Sequence, residues 1–169
     1  MSAAMLGGAL LAACAMAVPA HADDGAALLL NPFGDPFVRA TKGGPCAAPL
    51  GPAYTEAQRR AEAHSRIERG TSCWLAGTCS EPNAYRYDHR IADAAVAALR
   101  ADPALATSTL WVTVQRRFVT LQGCVRDEAQ AALAERVAQK VPDVQAVLPT
   151  LALPGQAPRY AVAASGPAR

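Results

Sequence analysis

Hydrophobic and polar positions alternate most regularly between Leu110 and Val125, LWVTVQRRFVTLQGCV. Leu110, Val112 and Val114 alternate with Trp111, Thr113 and Gln115. After Arg116-Arg117 the alternation resumes, with Val119, Leu121, Gly123 and Val125 set against Phe118, Thr120, Gln122 and Cys124. Period two, repeated about a short polar break, predicts a β-hairpin turning at Arg116-Arg117, with Val114 opposite Val119 and Val112 opposite Leu121. Every aliphatic side chain then shares one face of a two-stranded ribbon. A lone hairpin is marginal in water, so that face needs a cover.

The flanks supply one. Asp88 to Arg100 carries Ile91, Ala94, Ala95, Ala98 and Leu99 at helical spacing, with Asp88 placed to cap the start and Asp102-Pro103 ending it. Asp127 to Val141 carries Ala129, Ala132, Leu133, Val137 and Val141 on one stripe, and Asp127 with Gln130 resembles a capping box. Pro142 stops that helix, and Val147, Leu151 and Leu153 mark a third strand between Val144 and Leu153. The order α-β-β-α-β in 66 residues predicts one small α+β domain, near the lower size at which a core holds without staples.

The run 88–153 resembles a BON domain, the bacterial osmotic-shock and nodulation module, on Val112, Val114, Val119, Leu121, Gly123, Val125, Val144, Val147 and Leu151. Three positions depart from the family pattern. Arg117 and Asp143 stand where it has glycine, and Pro149 stands where it has asparagine. Arginines tolerate positive φ poorly, which counts against the usual glycine-type tight turn at 116–117. Proline cannot donate to a ladder, so the third strand is expected at an edge or bulged. The resemblance implies a non-catalytic module of the cell envelope that binds phospholipid or a protein partner.

Residues 1–22, MSAAMLGGALLAACAMAVPAHA, carry no charged side chain and end in Ala20-His21-Ala22, the small-x-small form of a signal-peptidase site. Export to the periplasm is expected. Leu11-Ala12-Ala13-Cys14 also resembles a lipobox, in which Cys14 would be lipidated and anchor the chain to the outer membrane. Cys46, Cys73, Cys79 and Cys124 remain, an even set in an oxidising compartment, and predict two disulfides among three possible pairings. Cys73 with Cys79 is the easiest pair to close, which would leave Cys46 with Cys124. That second bond would draw part of residues 23–87 across the outer face of the hairpin, over Trp111 and Phe118. A buried free thiol at Cys124 is the alternative.

Residues 23–54 are rich in proline, glycine and alanine, which forbids a long helix or a central strand. Composition favours a linker over an arm docked through Phe33 and Phe37. Thr55 to Arg69 predicts a helix, boxed by Thr55 and Gln58, with only Ala57, Ala61, His64 and Ile67 to bury. Cys73 to Tyr87 predicts an irregular disulfide-closed knot against the helix that follows. The organisation is then a leader at 1–22, an extension at 23–87, the BON-like domain at 88–153 and a disordered tail at 154–169.

Candidate chemistry is sparse. No nucleophile sits near a base, and no phosphate loop, dinucleotide fingerprint or haem motif is present, so neither an enzyme nor a cofactor is expected. Cys73, Cys79, His64 and His89 could supply four zinc ligands, but five residues between the cysteines is not a usual zinc spacing. Residues 23–87 and 88–153 each hold seven Lys or Arg and seven Asp or Glu, and the net +2 comes from Arg159 and Arg169. Such neutrality disfavours nucleic acid and long-range attraction to anionic membranes. A lipid or partner contact must be a local cluster, for which Arg116, Arg117 and Arg126 are the candidates; a merely solvated turn is the alternative. The function expected is an exported envelope factor that binds phospholipid or an envelope protein. A structural subunit that touches no lipid is the rival.

Overall fold

Residues 27–164 are described by the structure, a computed structural model. Three short strands come first, β1 (Leu29–Leu30), β2 (Phe37–Arg39) and β3 (Ala53–Tyr54), followed by helices α1 (Glu56–Glu68) and α2 (Thr71–Leu75). A 3₁₀ turn, Ala84–Tyr87, leads into α3 (Asp88–Ala101), strands β4 (Thr109–Gln115) and β5 (Phe118–Cys124), helix α4 (Glu128–Gln139) and strand β6 (Ala146–Ala152). The fold is α+β.

The hairpin β4–β5 has the expected register, with Val114 opposite Val119 and Val112 opposite Leu121. α4 returns the chain so that β6 pairs parallel with β5, unbulged, and β6 is an edge strand, where a proline at 149 is tolerated. The inner face of the sheet buries Leu110, Val112, Val114, Val119, Leu121, Val147 and Leu151 against Ile91, Ala95, Val96 and Leu99 of α3 and Ala134 and Ala138 of α4. Gly123 has φ 131°, and a Cβ there would lie 2.0 Å from the Thr109 carbonyl oxygen, so only glycine lets the two strands approach at this point.

α4 is rotated from the expected stripe. Ala129 is exposed and the buried row of the helix is Gln130, Ala134 and Ala138, while of the expected stripe Leu133 and Val137 pack half-buried against the core and Val141, just past the helix, is buried. Gln130 is drawn inward because its amide donates to the Ala104 carbonyl and the Thr107 hydroxyl and accepts from the Arg126 N–H. The Asp127 carboxylate caps the helix by accepting from the Gln130 N–H, but the return bond goes one residue further back than a capping box would take it.

The segment expected to be a linker is part of the sheet. β2 adds antiparallel to β4, giving the order β2-β4-β5-β6, four strands where three were expected. The chain then follows the start of β4: Ala40 N–H donates to Leu110 O, Gly43 N–H to Ser108 O, and the Arg100 guanidinium of α3 donates to the carbonyls of Arg39 and Ala40. Prolines and glycines keep this strand to three residues at an edge but do not prevent it. On the outer face Trp111 is only 7% exposed, with the Arg39 guanidinium 5.6 Å from its ring, and it takes no part in the helix-covered core. Cys46 is bonded to Cys124 across a sequence separation of 78, and Cys73 to Cys79.

The tail is also ordered as far as it is described, contrary to expectation. Leu50 N–H donates to Ala161 O and Ala163 N–H to Ala48 O, while the Tyr160 hydroxyl donates to Ala47 O. These bonds lay 154–164 against the arm beside the Cys46–Cys124 bridge, giving the tail backbone partners that its composition did not disclose. Helix α1 has the predicted capping box at Thr55 and Gln58, but it docks by its polar face. Ile67 is 75% exposed, whereas Arg59, Glu62, Ser65 and Arg66 face the protein.

Replacing both Cys46 and Cys124 by serine frees a long loop in the unfolded chain and should cost about 2–4 kcal/mol of stability. The urea midpoint of Cys46→Ser/Cys124→Ser checks this, and an unchanged midpoint would mean that backbone pairing alone holds the arm.

Candidate functional site at the hairpin tip

Both residues of the β4–β5 turn are left-handed, Arg116 at φ 56° and Arg117 at φ 68°, the conformation of the two-residue turn that the sequence argued against. The Asp88 carboxylate supplies the reason. One of its oxygens accepts from the Arg116 N–H and the other from the Arg117 N–H, each at 2.8 Å. Asp88 is 2% exposed and is the first residue of α3, so it closes the hairpin rather than capping the helix as expected. Burial pushes its carboxyl above the ordinary value of 3.8, outweighing the downward pull of the two N–H donors.

A second network buttresses the tip. The Arg66 guanidinium on α1 is paired with both Asp35 carboxylate oxygens, at 2.8 and 2.6 Å, and lies 4.0 Å from the rings of Phe33 and of Tyr85. The Gln115 amide, one residue before the turn, donates to Asp35 and to the Tyr54 hydroxyl. The Tyr85 hydroxyl donates to Glu62, and burial pushes that phenol well above its usual range, with the Glu62 bond adding to the effect. This bonding accompanies the inward turn of the charged side of α1: Arg66 is held by both oxygens of Asp35 beside two aromatic rings, although its Nε is left without a hydrogen-bond partner.

The arginine side chains of the turn are also placed. Arg117 lies over the Tyr87 ring at 4.8 Å and donates through Nε to the Asp143 carbonyl, and Arg116 lies 5.8 Å from the Phe118 ring. Both line a cleft of about 320 Å³ between the hairpin tip and the Cys73–Cys79 loop, together with Arg69, Tyr87, Phe118 and Glu81. Glu81 is already bonded to Arg86 and Arg90, at 2.9 and 3.1 Å. Arg69, Arg116 and Arg117 take part in no ion pair among the described residues. Three guanidiniums that have no ion-pair partner among the described residues, set about one recess, can bind an anion such as a phosphate diester by forked hydrogen bonds.

Arg126 does not belong to this group. It lies beyond the opposite end of β5, exposed and paired with Asp127 at 2.9 Å, and borders a different groove, so the expected three-arginine cluster is not one cluster. Arg69 takes its place. The sequence marked Arg69 only as the end of the helix predicted from Thr55 and gave it no role. The one local signal was its position just before Gly70, which at φ 88° is left-handed and separates α1 from α2. Cys73 and Cys79 are joined to each other, so the zinc set with His64 and His89 does not form, and no cluster among the described residues could hold a metal. The leader at 1–22, including Cys14, lies outside the described residues.

Residues 87–151 match the family model described as BON domain. No curated protein and no solved structure matches the chain.

A carboxyl raised above 3.8 in the folded state holds its proton more tightly there than in the unfolded chain. Its contribution to stability is therefore greatest in acid and declines as pH rises from about 3.8 through the raised native value. The stability of the wild type relative to Asp88→Asn, from urea unfolding at successive pH values, should fall across that window. A relative stability that rises there would show that the N–H donors outweigh burial.

Proposed function

We propose that this protein, whose residues 87–151 form a BON domain, is an exported, non-catalytic component of the cell envelope that binds anionic phospholipid headgroups in the cleft at its hairpin tip. BON domains are associated with envelope and osmotic-stress proteins and with phospholipid or protein binding. Two disulfides fit an oxidising compartment outside the cytoplasm. The observation that carries the reading is that Arg69, Arg116 and Arg117 line one recess and take no ion-pair partner among the described residues, the Glu81 that shares it being paired with Arg86 and Arg90. In a chain of net +2 such a cluster does not attract a membrane from afar, so it acts on a headgroup already within contact.

A second reading, a structural subunit that touches no lipid, is supported by the outer edge of β6, which has no strand partner among the described residues and carries Leu148 49% exposed. Co-sedimentation with phosphatidylglycerol vesicles separates the two. The wild type should pellet in a salt-sensitive manner and Arg116→Glu/Arg117→Glu should not. Arg116→Asn/Arg117→Gly removes both charges while suiting left-handed backbone, so it should lose pelleting too and yet be more stable by about 1 kcal/mol. Failure of the wild type to pellet at any lipid composition would favour the subunit reading.

A further inference from the structure

Residues 70–80, GTSCWLAGTCS, include no charged side chain and lie outside the BON match. Within them Trp74 is 45% and Leu75 79% exposed, with Ile67 exposed just upstream at the end of α1. Large apolar side chains held out in water by a short segment call for an occupant of stated chemistry. Several backbone donors of the segment, which includes the short helix α2, are satisfied internally. Trp74 N–H donates to Gly70 O, Ala76 N–H to Ser72 O, Gly77 N–H to Trp74 O, and the N–H groups of Thr78 and Cys79 both donate to Cys73 O. The Cys73–Cys79 bond closes the loop, and both cysteines form a wall of the arginine cleft.

We infer that this disulfide-closed knuckle is a membrane-insertion element, seating Trp74 and Leu75 in the interfacial layer of an anionic phospholipid membrane while the adjoining arginines hold headgroup phosphate. The inference rests on the headgroup reading above and adds the apolar half of the contact. An inserted loop must take its polar backbone out of water, and the internal N–H bonds lower that cost. The bridge orders the loop before binding, so little conformational entropy is lost on insertion. Tryptophan favours the interface, where its ring is buried and its N–H stays wet. Arg69 directly precedes the knuckle, and Arg116 and Arg117 face it across the cleft, so the surrounding charge complements an anionic surface and not an apolar protein groove.

The chain has two tryptophans and the other, Trp111, is buried, so a change in emission on binding reports Trp74. With vesicles of mixed phosphatidylglycerol and phosphatidylcholine, emission should shift to the blue and be quenched by brominated acyl chains. Trp74→Phe should lose the shift but still pellet. Trp74→Ser/Leu75→Ser, at exposed positions and with unchanged thermal unfolding, should need about tenfold more lipid to pellet. If the wild type pellets and the arginine variants do not, yet emission stays unmoved and the serine variant pellets normally, the knuckle is not inserted and the headgroup reading stands without it. If the wild type pellets with neither lipid, both fall.

Discussion

The Asp88 carboxylate, bridging two consecutive backbone N–H groups, is the interaction on which the rest of this arrangement depends. Left-handed backbone costs a non-glycine residue roughly 1–2 kcal/mol, and two such residues stand together in the turn. Two bonds from one carboxylate hold both turn N–H groups in that conformation, although burial of the carboxylate takes back part of what they gain. The bridge also fixes the hairpin tip to the first residue of α3, so the turn and the helix form one rigid corner. A glycine turn would need no such partner, but it would present no side chains. At Arg116 and Arg117 easy turn geometry has been exchanged for two guanidiniums at a fixed place.

The extension belongs to the same mechanics. It is tied at the hairpin tip by Asp35, which Gln115 and Arg66 both engage, and at the opposite end of β5 by the Cys46–Cys124 bond. Between these two ties β2 adds its strand to β4, and the outer face that holds Trp111 is removed from water. A sheet of this size with an uncovered aromatic face would be an aggregation hazard. Covering it with a strand, a bridge and a buried ion pair also places α1 and the knuckle beside the arginine turn. The additions that complete the fold thus form the second wall of the cleft.

The hairpin register, the two helices beneath it and the edge position of β6 could be read from the sequence, because each follows from periodicity or from the chemistry of one residue. The left-handed turn could not. Asp88 lies 28 residues before Arg116, and no local pattern tells that its carboxylate is spent on the hairpin and not on its own helix. The inward charged face of α1 was hidden for a related reason. Amphipathic reading places Ile67 inside, but two aromatic rings and Asp35, all distant in sequence, hold Arg66 there instead. Of the site residues, Arg116 and Arg117 were legible as a basic tip, whereas Arg69 and Tyr87 join them only through tertiary contact. Arg126 was grouped with them by sequence proximity, and seven residues of strand separate them.

The choice of cation bears on what the cleft can recognise. The chain contains only two lysines, Lys42 and Lys140, and neither borders the cleft. A lysine would offer a mobile, strongly hydrated point charge, whereas a guanidinium can rest on an aromatic face and still aim its remaining donors outward. Arg117 rests in this way on Tyr87 and is pinned through Nε to the Asp143 carbonyl, which leaves its terminal nitrogens for a ligand. Much of the side-chain entropy that binding would otherwise remove is already lost in the folded protein. A nearly neutral chain gains little from long-range steering, so a small number of pre-placed forks is a physically consistent way for it to hold an anion at contact distance.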